Sequence, residues 1–259
     1  MPDRIRLDGR VAVVTGAAGV IGTAAMRLLA ERGARIVAVD RNETQLKTAT
    51  RDLPASAQAL AITADVTDED EVAGYVRAAV DKFGTIDAFY NNAGIEGDIA
   101  PITKYSLETF RRVIDVNVVG VFLGMKHVLP VMLRRNKGSI INTASIAGLI
   151  GSPDVAVYSA SKHAVIGLTK SAALECAATG VRVNCVSPGL IDSRMLSAII
   201  EGRNPGNAPV PNDRIVERIP ARRLGHASEV ASVVAFLASD EASYVSGSAY
   251  TVDGARTAG

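Results

Sequence analysis

Tyr158 and Lys162 stand four positions apart in a stretch of helical periodicity, a spacing that puts a phenol and an ammonium on one helix face. A free phenol ionises near pH 10, and a cation beside it lowers that by about 1 to 3 pH units, so phenolate becomes accessible near neutrality. Such a tyrosine can take the proton of a secondary alcohol as hydride leaves for a nicotinamide, or return it to a carbonyl in the reverse direction. Ser145 closes the strand candidate one step earlier in the chain, where a hydroxyl donating to the same oxygen would orient it and stabilise developing charge. The pair alone is a weak signal; the serine at a strand end strengthens it.

A second constellation lies near the start of the chain. Thr15-Gly16-Ala17-Ala18-Gly19-Val20-Ile21-Gly22 joins a β-branched run to a helical one, the context in which glycines let backbone N–H groups approach a pyrophosphate at a helix N-terminus. The next strand candidate leads to Asp40, 18 residues past Gly22, where a carboxylate can accept both hydroxyls of an adenosine ribose. A 2′-phosphate about 4 Å from that carboxylate would meet roughly 4 kcal/mol of repulsion per unit charge at an effective dielectric near 20. NAD is therefore favoured over NADP. Arg41 could attract a 2′-phosphate, but the glycine turn holds no basic residue to share that work.

These residues need a scaffold, and the hydrophobic pattern supplies one. Seven β-branched runs at 11–15, 35–39, 59–64, 86–90, 139–143, 181–186 and 249–252 alternate with helical periodicity at 20–31, 68–82, 107–133, 155–178 and 228–239. Gly120 and Gly124 are expected to break the third helix. Alternation of this kind implies parallel pairing with right-handed crossovers, and strands that read as continuous apolar runs imply helices on both faces. The expected fold class is α/β, a single-domain Rossmann-type doubly wound sheet of about seven strands over residues 1–259. Residues 192–220 differ, with four prolines and a short apolar segment at 195–200, directly after the sixth strand. They read as a substrate lid within the domain. Met195, Leu196, Ile199, Ile200 and Val210 would make its pocket mostly apolar and suited to an uncharged ring or chain, unless they only pack the lid onto the body.

Composition removes other classes of function. The chain has 259 residues and a formal net charge of +1 without blocks of like charge, which disfavours nucleic acid and membrane surfaces as partners. Aromatic residues are 4%, too few for base-stacking platforms. The longest apolar run, residues 118–125, falls far short of the roughly 20 residues of a membrane span, and the N-terminus lacks a signal-peptide pattern, so a cytoplasmic location is expected. Cys176 and Cys185 match no zinc or redox spacing and read as reduced, buried thiols. His127, His163 and His226 have no ligand pattern around them, and no metal is expected.

As a set, the glycine turn at 15–22, Asp65-Val66, Asn91-Asn92-Ala93-Gly94, Asn117, Ser145, Tyr158 with Lys162, Pro188-Gly189 and the closing Val252-Asp253-Gly254 resemble the short-chain dehydrogenase/reductase family, in the branch with chains near 250 residues. The likeness spans essentially the whole chain. It implies that Gly16, Gly19, Ile21, Gly22 and Val66 contact the cofactor, that Asp65 meets the adenine, and that Asn91, Asn92, Ala93 and Gly94 support the sheet beside the cofactor. It further implies that Asn117 anchors a water chain ending at Lys162, that Lys162 holds the nicotinamide ribose, and that Ile191 and Ser193, after Pro188 and Gly189, bind the carboxamide. A homotetramer built from the helices near 107–133 and 155–178 and from the last strand is also implied. The chain departs from the family at Val20, where a glycine is usual; either Gly19 takes over the close approach, which is favoured, or cofactor affinity falls. The expected activity is NAD-dependent interconversion of a secondary alcohol and a ketone. The alternatives are an NADPH-dependent reductase of 3-oxoacyl chains on a carrier protein, and a non-catalytic dinucleotide sensor.

Overall fold

Along β1 (Val11–Thr15) consecutive side chains enter two different cores: Val11 and Val13 pack on one side of the sheet, Ala12 and Val14 on the other. A strand buried on both faces needs apolar residues at every position, which is why its sequence does not alternate. The computed structural model describes residues 5–204, 206 and 212–259. Beside β1 lie β2 (Arg35–Asp40), β3 (Ala59–Thr63), β4 (Ala88–Asn91), β5 (Gly138–Thr143), β6 (Val181–Pro188) and β7 (Ala249–Val252). All neighbours pair in parallel, in the order β3-β2-β1-β4-β5-β6-β7. The chain forms the single Rossmann-like domain expected, with strand ends within two residues of the apolar runs. At one edge β3 is only half-buried, and at the other β7 has no fully buried residue, as rim strands should.

One face is covered by α1 (Val20–Glu31), α2 (Glu43–Arg51) and α9 (Ala227–Ala238), the other by α3 (Glu69–Phe83), α5 (Gly120–Arg134) and α6 (Ala156–Cys176). Local chemistry sets several starts: the side chains of Asn42 and Asp68 accept from Gln45 N–H and Glu71 N–H at 3.0 Å and cap α2 and α3. Gly84, at φ +81°, ends α3 in the left-handed conformation. The helix α2 was absent from the sequence expectation because it buries only Leu46 and Ala49, too few positions to show a period.

The expected break at Gly120 and Gly124 does not occur. The helix α4 (Leu107–Ile114), a π turn at Asp115–Val119 and α5 run on as one 28-residue helix. Both glycines serve close approach instead: a Cβ on Gly120 would lie 2.9 Å from Val66 Cγ2, and one on Gly124 2.8 Å from the Phe89 ring. By length and hydropathy alone this helix could cross a bilayer, which the short apolar run in the sequence did not suggest. Half of its most apolar stretch is buried, with Val121, Leu123, Val128 and Met132 in the core.

Candidate active site

The strand order reverses between β1 and β4, and an open parallel sheet has its ligand crevice at that point, beyond the strand ends. Asn92 ties this opening together. Its backbone N–H donates to Thr15 Oγ1 at 2.9 Å, its Nδ2 to the carbonyls of Thr15 and Gly16 at 3.1 and 3.2 Å, and its Oδ1 accepts from Thr143 Oγ1 at 3.2 Å. Ala93 N–H also reaches Thr15 Oγ1, at 3.2 Å. A Cβ on Gly94 would stand 3.2 Å from Asn117 Oδ1 and 3.3 Å from Lys162 Nζ, so the glycine keeps the space above both groups clear.

Within the glycine turn, Gly16 has φ +61°, and a Cβ there would come within 2.9 Å of Ala93 Cα, while a Cβ on Gly22 would collide with the Gly16 carbonyl oxygen. Gly19 is the N-cap of α1 and carries no capping side chain. Val20 and Ile21 open the helix proper, and Val20 is half exposed with ordinary helical backbone. Position 20 requires no positive φ, so valine sits there without backbone strain. Backbone N–H groups of an uncapped first turn, facing a cleft lined by glycine, fit a pyrophosphate.

Asp40, at the end of β2, accepts Ala18 N–H on Oδ2 at 3.0 Å and Asn42 N–H on Oδ1 at 2.9 Å, so its carboxylate is fixed against the glycine turn. Asp65 accepts Thr67 N–H at 2.9 Å and Thr67 Oγ1–H at 2.8 Å. Arg41, Asp65 and Thr67 line a cavity of ≈ 510 Å³ that also takes in Arg111, Arg112 and Val116 from the long helix. The glycine turn offers Arg41 no basic partner, but the fold brings Arg111 and Arg112 to the same cavity.

At the other end of the cleft, Ser145, Tyr158 and Lys162 come together as expected. The Ser145 side chain lies close enough to act on the Tyr158 phenol, and Lys162 Nζ lies 5.6 Å from the Tyr158 ring centre. The ammonium donates to the Thr143 carbonyl at 2.8 Å, at the end of β5. Burial dominates the electrostatics here. It pushes the Tyr158 phenol above its ordinary value, against the pull of the Ser145 hydrogen bond, and the charge of Glu96 adds to the rise. The same burial brings Lys162 down to about 8. The acidification of Tyr158 expected from a neighbouring cation is thus not what these surroundings produce: desolvation of both groups outweighs it.

Asn117 sits fully buried in the π turn, a deformation that recurs at functional sites. Its side chain accepts Ile95 N–H at 2.8 Å and donates to Ile95 O at 2.9 Å and Ser161 Oγ at 3.0 Å, which locks the strand exit after Gly94 onto α6. Pro188 ends β6, and Gly189 N–H donates to Val252 O at 3.0 Å. Ile191 is buried, and Ser193 caps α7 (Arg194–Arg203) by accepting Leu196 N–H at 3.3 Å while donating to Ile191 O at 3.0 Å.

The helix α7 and the short α8 (Asn212–Val216) form the described part of the segment read as a lid; Val210 lies outside the described residues. Met195 and Ile199 on α7, with Ile99, pack against Ala147, Val155 and Tyr158, so an apolar cluster surrounds the phenol. Three participants were missed in the sequence: Ile99, Glu96 and Arg194. Glu96 is buried and bonded by Arg194 across 98 positions of chain, a separation at which no local spacing carries a signal. Cys176 and Cys185 are free and buried, as expected.

Residues 16–256 match a family model described as enoyl-(acyl carrier protein) reductase. Levodione reductase of Leifsonia aquatica is 38% identical over 256 residues, which cover 98% of this chain and 96% of the relative. A crystal structure of levodione reductase superposes with a TM-score of 0.95 at 37% identity, covering 98% of this chain and 99% of that one. Cyclohexanol dehydrogenase of Acinetobacter sp. (strain SE19) is 41% identical over 253 residues, 97% of this chain and 96% of the relative. The structure of NAD+-bound xylitol dehydrogenase has a TM-score of 0.92 at 38% identity, covering 95% of this chain and 98% of that one.

Proposed function

The chain belongs to the short-chain dehydrogenase/reductase family and is an oxidoreductase acting between alcohols and ketones; from that premise we propose that it uses NAD and works on an uncharged secondary alcohol or its ketone. The observation that carries this reading is the Tyr158 phenol, set in an apolar cluster with Ser145 close by and Lys162 Nζ 5.6 Å from its ring centre. A nicotinamide cofactor, when bound, supplies the site that accepts or gives the hydride. Tyr158 is the catalytic acid/base: its oxygen takes the proton of the substrate hydroxyl, or returns it to the carbonyl oxygen. Ser145 donates to the substrate oxygen and stabilises charge building there. Lys162 would hold the nicotinamide ribose hydroxyls, and Asn117, which keeps Ile95 and Ser161 in register, would serve its proton supply.

The remaining contacts to the dinucleotide follow the cleft. Gly16, Gly19, Ile21 and Gly22 would take the pyrophosphate, Asp65 and Val66 the adenine, and Asn92, Ala93 and Gly94 the middle of the molecule. Pro188, Gly189, Ile191 and Ser193 would face the carboxamide. Asp40 would accept the adenosine ribose hydroxyls, and its position against Ala18 supports NAD over NADP because a 2′-phosphate would meet a fixed negative charge. Arg41 flanks that site. Paired assays of cyclic and acyclic secondary alcohols and their ketones with NAD(H) and NADP(H) test the reading: turnover only with NADPH and carrier-bound 3-oxoacyl chains would replace it with the carrier-protein reductase.

The uncharged character of the substrate is supported by Met195, Ile199, Ala147 and Val155 around the phenol, and its being a cyclic alcohol or ketone by two relatives named for levodione and cyclohexanol. Residues 192–220 act as the lid. A homotetramer is supported by Leu107, Phe110, Phe122, Leu133 and Leu174, large apolar side chains left exposed on the long helix and α6, and by the open edge at β7. Sedimentation of a stable monomer at micromolar concentration would remove the tetramer.

A further inference from the structure

A carboxylate in the wall of an apolar pocket is costly unless it is paired. Glu96 is a buried carboxylate near enough for its charge to act on Tyr158: its side chain is 12% exposed, and its backbone neighbour Ile95 is clamped from both sides by Asn117. Its partner comes from the lid. Arg194, in the first turn of α7, donates from Nη1 to Oε1 at 2.8 Å and from Nη2 to Oε2 at 3.3 Å, with its own side chain 74% exposed. The far end of α7 is tied as well, through Arg203 Nη2 to Ser152 Oγ at 2.9 Å and to Pro153 O at 2.7 Å. Between these ties Met195 and Ile199 roof the cluster around Tyr158, and Gly202 lies so flush that a Cβ would come within 2.5 Å of Ile99 Cβ.

We propose that the Glu96–Arg194 pair is a latch that closes the lid over uncharged substrates and turns away substrates carrying a carboxylate. An anionic substrate could be neutralised at this end of α7 only by taking Arg194 from Glu96, which would leave a buried carboxylate unpaired. An uncharged ring or chain leaves the pair intact. Glu96 is thus a specificity-determining residue and Arg194 a positioning one; this inference rests on the alcohol-and-ketone reading above.

Two measurements test it. The first is the ratio of kcat/KM for cyclohexanol to that for 4-hydroxycyclohexanecarboxylate, in the wild type, Glu96→Gln and Arg194→Gln. Glu96→Gln should lower the ratio at least tenfold, through a lower KM for the carboxylate. Arg194→Gln should raise KM for cyclohexanol about tenfold with no gain for the carboxylate. A ratio unchanged within twofold in Glu96→Gln overturns the proposal, since a merely structural role would affect both substrates alike. The second is amide hydrogen exchange across α7 in the full chain, read without substrate: both variants should exchange at least tenfold faster there than the wild type, with α5 unchanged. Equal exchange in all three proteins overturns the latch whatever the activity. Wild-type protein that turns over no alcohol or ketone sinks the oxidoreductase reading instead, and the exchange data still decide the latch.

Discussion

The two sides of the substrate pocket are held by different physics. Tyr158, Lys162 and Asn117 project from elements packed on the sheet, and Lys162 and Asn117 are pinned by buried bonds to the Thr143 carbonyl and the Ile95 backbone. The lid opposite is held by two arginines whose charged ends face solvent, with a few apolar contacts between them. Buried hydrogen bonds fix geometry because breaking one strands a polar group; an exposed guanidinium can trade its partner for water, so on the lid only the buried Glu96 resists separation. On the proposed reading, chemistry belongs to the wall packed on the sheet and substrate entry to the lid.

Substitutions on the rigid wall should damage turnover far more than binding. Tyr158→Phe is expected to cut kcat about 1,000-fold, within the 10²–10⁴ range of general acid–base catalysis, with the NADH dissociation constant in fluorescence titration changed less than threefold. An undiminished kcat would break the distinction outright. At the distal end of the same wall, Asp40→Ser should move the NAD-over-NADP preference in kcat/KM about 100-fold toward NADP, helped by Arg41, Arg111 and Arg112 around the adjoining cavity.

The raised Tyr158 pKa gives a prediction of sign. Alcohol oxidation needs the phenolate, which is scarce below that pKa, so kcat/KM for oxidation should climb about tenfold per pH unit through neutrality and still be rising at pH 9. Ketone reduction needs the phenol and should stay level over the same range. An oxidation plateau at pH 7 would show that bound cofactor or substrate reverses the effect of burial. The smallest change is expected on the lid: Arg203→Ala frees only its far end and should raise KM two- to fivefold with kcat unchanged, measured in steady state with a neutral alcohol.

The architecture was largely legible because a strand covered on both faces must be apolar throughout, and seven such runs stood out between helical periods. Val20–Glu31 was read to the residue, since a glycine turn precedes it and an apolar stripe runs its length. The misreadings have separate causes. Gly120 and Gly124 looked like breaks because glycine costs a helix stability, yet Val66 and Phe89 press against them and only a hydrogen fits. The helix at Glu43–Arg51 was overlooked because two buried residues show no period. In the site, Tyr158 with Lys162 was visible from helical spacing, and Glu96 with Arg194 was not.

From the sequence alone came everything governed by short range: the strands and most helices, the turn glycines, the helical spacing of Tyr158 and Lys162, and the carboxylate at position 40 that ends the second strand. Tertiary structure decided which distant groups meet and how far water is excluded from them. That exclusion drives Tyr158 up and Lys162 down to about 8, and it sets Glu96 against a guanidinium from the lid. Desolvation depends on every atom packed around a group, and those atoms come from parts of the chain whose spacing along the sequence carries no record of their contact.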